Sequence, residues 1–168
     1  MAEEILKKIP AETRWAIAAK TFTTTATAMS MMYGDIVGSE KDKEVLIALW
    51  GGGGKNSYPR IKEAFNIPVE DAIGVATLAS VTSKISMGPE LESELFEAAP
   101  ERAVVRVKKC PWWERYKEFG ITEGAFCDEA HTANATEGVK AVNPKITFKM
   151  TKALPRGDSY CELVYESK

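Results

Sequence analysis

The only histidine of the 168-residue chain, His131, lies four residues after Cys127, and the two remaining cysteines, Cys110 and Cys161, fall in the same last third. Residues four apart on a helix lie on one face, one turn above the other, so Cys127 and His131 can share a ligand if the segment is helical. Cys110 precedes Pro111, a residue favoured at the first helical position, and a thiol at a helix N-terminus has its thiolate favoured by the dipole. Two chemistries use such a set. In one, a cysteine thiolate of Cys110 or Cys127 attacks, His131 moves the proton, and Asp128 orients the site, with Asp158 as a second carboxylate to orient it or hold a polar substrate. In the other, Cys110, Cys127, His131 and Cys161 bind zinc or iron, closed if all four bind and open to an activated water if three do. The spacing matches no finger motif. Against both stands plain packing, because buried cysteines behave as small hydrophobes and a lone histidine can be satisfied in a core. Trp113, beside Trp112, is a candidate pocket wall for a substrate, and Asp158 can instead cap a turn.

Composition narrows the function classes. A chain of this length is expected to be one domain, and 45% hydrophobic with 27% charged residues is ordinary for a globular protein. The net charge of −2 carries no basic footprint for nucleic acid. No run approaches the ~18 apolar residues of a membrane span, and Met1–Lys8 mixes charges where a secretory signal would be apolar, so a cytoplasmic protein without a membrane partner is expected. Three cysteines cannot close a disulfide framework, and Asn134-Ala135-Thr136 matches a glycosylation sequon that has no meaning without secretion.

The elements that must position the site fall in two halves, 1–88 mainly helical and 89–168 mixed. From 11 to 37, Trp15, Ala18, Ala19, Phe22, Ala26, Met29, Tyr33 and Ile36 recur at helical spacing and predict one buried face. A second helix is expected from Ser39–Asp42 through Trp50, where Gly51-Gly52-Gly53-Gly54 either breaks it or marks a close approach of another backbone or a ligand. The following Lys55 does not make a phosphate loop, because Leu49 stands where that motif needs glycine. Short and long helices are expected over 58–65 and from Glu70 to Met87, giving four helices whose apolar faces could pair two copies as a homodimer. The period then becomes two. Leu91–Ala98 with Arg102–Lys109, and Ile146–Thr151 with Cys161–Glu166, read as two hairpins, the second placing Cys161, Leu163 and Tyr165 on the core face. Trp112–Phe119 and Gly124–Gly138 between them read as helices. The fold expected is α+β: N-terminal helices on a four-stranded antiparallel sheet, with two further helices between its hairpins.

The order Cys110-Pro111, Phe126-Cys127-Asp128, Asn143-Pro144, then Gly157-Asp158 with Cys161 beyond, resembles the L-2-amino-thiazoline-4-carboxylic acid hydrolase-like family over about residues 90–166. The closing Gly-Asp-x-x-Cys strand is more distantly similar to that of 4-vinyl reductase-type small-molecule-binding domains, also α+β. The resemblance implies hydrolytic opening of a cyclic C–N bond in a thiazoline-carboxylate-like substrate, a step in cysteine formation, with the chemistry at or near Cys110, Cys127, Asp128 and Cys161. The alternative of a different class is a non-catalytic sensor or accessory module that holds a metal or a small molecule between helices and sheet.

Overall fold

The computed structural model describes residues 2–121 and 126–168. Four helices come first: α1 (Ala2–Lys8), α2 (Ala11–Val37), α3 (Ser39–Phe65) and α4 (Ala72–Met87). Strands β1 (Glu92–Ala99) and β2 (Arg102–Lys109) follow, then α5 (Pro111–Glu118) and α6 (Cys127–Val142), and finally β3 (Ile146–Lys152) and β4 (Cys161–Ser167). The four strands form one antiparallel sheet in the order β1-β2-β4-β3, so the two hairpins are joined through β2 and β4, with Val107 opposite Cys161. This is the α+β layout expected from the change of period. The expected start of α6 at Gly124 lies outside the described residues.

The sheet has two unlike faces because its side chains alternate. Ala103, Val105, Val107, Ile146, Phe148, Leu163 and Tyr165 pack with Val75, Leu78 and Ala79 of α4 and with Ala135 and Val139 of α6 into one core, and Cys110 and Cys161 lie against it. The opposite face is covered by its own long side chains. Arg106 lies over the Phe96 and Tyr160 rings and pairs with Glu162, and Arg102 pairs with Glu97 and Glu166.

Three expectations about the helices need correction. The segments 39–50 and 58–65 are one helix, α3, which runs through the four glycines and carries Pro59 in its interior. The glycines resolve as close approach rather than breakage: a Cβ on Gly54 would overlap the backbone carbonyl of Asn134, with its carbon only 2.7 Å away. Tyr58 meets Gly138 reciprocally, since a Cβ there would come within 2.6 Å of the Tyr58 ring. Helix α2 buries Ala19, Thr23 and Thr27, one residue round from the expected face, and leaves Met29 and Ile36 66% and 80% exposed. Small side chains let α2 approach its neighbours where a stripe of Met and Ile could not. Helix α1, too short to be apparent from periodicity, precedes it.

Helix α4 starts as its acidic residues suggest. Asp71 is the N-cap, its carboxylate accepting the Gly74 N–H at 2.8 Å. Among the described residues no helix is long and apolar enough to cross a membrane.

Candidate functional site: an internal cavity between helices and sheet

Helix α6 presents one side to α3 and the other to the sheet. On the second side Cys127 and His131, one turn apart, look into a cavity of about 60 Å³ whose other walls include Cys110, Cys161 and Asp128. The four sulfur and nitrogen groups anticipated from the sequence therefore do line one space: Cys161 because its strand face is the core face, Cys110 because β2 ends there and α5 begins. Ser83, Met87, Trp112, Cys127 and His131 also border a larger space of about 270 Å³ that extends between α2, α3, α4 and α5. Trp112 stands between the two, edge-on to Trp50 at 5.0 Å and to Phe22 at 5.7 Å. Trp113 borders the smaller space.

Burial dominates the electrostatics. It lowers the His131 imidazole from 6.5 to about 4, so the ring is neutral at ordinary pH. Its Nε2 is sealed from solvent and has no hydrogen-bond partner. The Phe148 ring lies edge-on to it at 6.0 Å. An unsatisfied buried nitrogen costs about 1–3 kcal/mol, which a ligand group placed opposite it would recover.

The thiols are protonated for the same reason. Burial pushes the Cys127 thiol far above the ordinary range, and pushes Cys161 up to about 11. Cys110 does sit at the α5 N-terminus, but its side chain makes no cap hydrogen bond, and burial raises its thiol as well. The expected dipole activation of Cys110 is thus present as geometry and overridden as chemistry.

The metal arrangement is likewise corrected. Among the described residues no three His, Cys, Asp or Glu side chains are placed to hold a metal ion. The Cys161 sulfur already accepts the Leu154 N–H at 3.3 Å.

The two carboxylates have separate positions. Asp158 accepts the Ala153 N–H at 2.8 Å and caps the β3–β4 connection, away from the cavity wall. Asp128 borders the cavity and accepts from Arg156 Nε at 2.7 Å. Burial opposes its ionisation, but hydrogen bonds shared with Glu129 and donated by Arg156 hold its carboxyl below the usual range. Arg156 itself lies on the far side, half-exposed, in an open groove of about 700 Å³ along α3 and α6. Among its described lining residues that groove holds no thiol or imidazole.

Sequence reasoning missed several wall residues. Thr82, Ser83 and Ser86 turn one hydroxyl-bearing side of α4 to the cavity, and their helical spacing was visible. Arg156 as the partner of Asp128 was not, since only the fold brings the hairpin connection to the start of α6.

The fold and site define an α+β domain in which helices enclose an internal, mostly apolar cavity against one face of an antiparallel sheet. Its family is shown directly: residues 14–165 match the L-2-amino-thiazoline-4-carboxylic acid hydrolase family, and the chain belongs to it. The match includes the helical half, beyond the C-terminal motifs that carried the resemblance. No curated protein matches. Among solved structures, the phenol-responsive sensory domain of the transcription activator PoxR, crystallised with phenol, is similar with a TM-score of 0.66 and 11% identity, covering 86% of this chain and 74% of that one. A trafficking protein particle complex subunit 3 from Naegleria fowleri, covalently bound to palmitic acid, has a TM-score of 0.61 and 12% identity, covering 90% and 96%. At such identities the likeness is one of fold.

Proposed function

We propose that this chain binds a small, largely apolar organic molecule in the cavity between α6, the other helices and the sheet, with His131 as the polar anchor. The observation that carries this reading is the unpartnered Nε2 of His131, sealed within walls that are otherwise aromatic, aliphatic, thiol or hydroxyl. A neutral imidazole offers one directional hydrogen bond without demanding a charged ligand. The two similar structures named above carry small molecules, phenol in one and palmitic acid in the other, which supports the same use of the fold here. Trp50, Trp112 and Trp113 border the cavity, so their fluorescence reports occupancy. Phenol is expected to quench it saturably, and His131→Leu to weaken that response at least about tenfold. A linear, non-saturating response identical in wild type and variant would refute the reading.

Membership of the hydrolase family favours a second reading, hydrolysis of a cyclic C–N bond with Cys127 or Cys110 as nucleophile, His131 as acid and base, and Asp128 orienting. It requires one thiol to react much faster than the others with iodoacetamide near neutral pH. The raised thiols support the binding reading instead, for which slow labelling of all three is expected. The same reading places the chain in the cytoplasm, where three free cysteines stay reduced. Pairing of two copies through the exposed Met29, Met32 and Ile36 of α2 is read out by sedimentation at several concentrations.

A further inference from the structure

Two of the sealed, unpartnered polar atoms among the described residues border the same space of about 270 Å³: Nε2 of His131 on α6 and Oγ1 of Thr27 on α2. Thr27 is 1% exposed. A helical threonine can settle its hydroxyl on a carbonyl three or four residues earlier. Thr23, one turn before and equally buried, does so, donating to the Ala19 and Lys20 carbonyls at 3.1 Å each. On the α4 wall Thr82 donates to the Leu78 carbonyl at 2.8 Å, and Ser86 to the Thr82 carbonyl at 3.1 Å. Thr27 makes no such bond.

Other polar side chains of the wall are engaged. Ser30, three residues further along α2, donates to Asp42 at 3.2 Å, and the Asn134 amide donates to the Trp50 carbonyl at 3.0 Å. The Thr27 hydroxyl and the His131 nitrogen are left as open positions on two different helices, around a space to which Phe22, Leu46 and Trp112 contribute apolar wall. A cavity of about 150 Å³ already accommodates benzene. This one therefore has room for a ring and for a substituent beyond it.

Resting on the binding reading above, we infer that Thr27 is a second polar anchor, and that the cavity takes a two-ended molecule: an apolar body carrying one hydrogen-bonding group for His131 and another for Thr27. A threonine hydroxyl both donates and accepts, so it can meet a hydroxyl, carbonyl or amide of the ligand. A ligand without the second group would leave Oγ1 sealed and unpaired, whereas one that carries it satisfies both helices at once. Thr27 thus sets specificity among molecules that His131 already holds.

The test is calorimetric titration of the whole protein, near neutral pH, with tyrosol and with para-propylphenol. Both are phenols with a short chain opposite the ring hydroxyl, ended by a second hydroxyl in tyrosol and by a methyl in the other. Tyrosol is expected to bind wild type at least about tenfold more tightly. Thr27→Val keeps the shape of the side chain and removes the hydroxyl. It should abolish that preference while changing the affinity for para-propylphenol less than about threefold, and Thr27→Ser should retain the preference. Thermal melting without ligand separates this role from a structural one: with no partner to lose, Thr27→Val should melt no lower than wild type. Equal binding of the two compounds, a preference that survives in Thr27→Val, or a lowered melting temperature of that variant overturns the inference while leaving the cavity a binding site. If neither compound binds, the binding reading falls and the inference with it.

Discussion

Helix α6 has two interfaces built on opposite terms. Toward α3 the contact is made at glycine: Gly54 of α3 lies against the Asn134 backbone, and Gly138 of α6 against the Tyr58 ring. Toward the sheet it presents Cys127 and His131, and a space remains that the core does not fill. Where backbones touch there is nothing to yield, so the seam fixes the position of α6. The cavity on its other side can then stay open and keep an unsatisfied nitrogen, because the helix cannot slide inward to close it. The rigid contact maintains the loose one.

The largest expected effect attacks the seam. Gly54→Ala would force α3 from α6 and is expected to cost about 3 kcal/mol, read as a lowered denaturation midpoint; an unchanged midpoint would mean the helices are not held at this distance. Next comes the cavity side, through pH. His131 in the folded protein is lowered to about 4 from 6.5, so between those values the unfolded chain binds the proton and the native one does not. Stability should therefore fall as pH drops through this window, by about 3 kcal/mol, and His131→Leu should flatten that part of the profile. A slope that survives in the variant would assign it to the carboxylates.

A smaller change sharpens the contrast from within the glycine run. A Cβ on Gly52 would meet nothing within 4 Å, so Gly52→Ala should stabilise by about 1 kcal/mol through helix propensity alone, opposite in sign to its neighbour two residues on. Smallest is Arg156→Ala, which removes a pair whose cation is half-exposed and should cost about 1 kcal/mol or less in thermal unfolding.

What was legible in the sequence follows the range of the physics. The hairpins, and with them Cys161 on the core face, were readable because strand alternation is local and a single register decides which side faces inward. Cys127 and His131 were readable as a pair because four residues make one turn. The glycine run showed that something comes close, but its partner is Asn134, on a helix distant in sequence, and periodicity carries no such information. Helix α2 misled for a related reason: apolar side chains marked one face, while the neighbours required the small Ala19, Thr23 and Thr27. The chemistry of the thiols was least legible. The N-terminal position of Cys110 was visible, but the burial that outweighs it exists only after α4, α5, α6 and the sheet close around it.

Because His131 is the only histidine in the chain, its ring nitrogens can be followed without background by ¹⁵N nuclear magnetic resonance. Titrating the labelled protein with benzyl alcohol tests the central claim most directly. The free ring is expected to stay neutral down to pH near 4, with Nε2 shifting saturably as ligand is added. A ring that titrates near 6.5 and whose nitrogens do not move with ligand would contradict both the sealed site and its role as anchor.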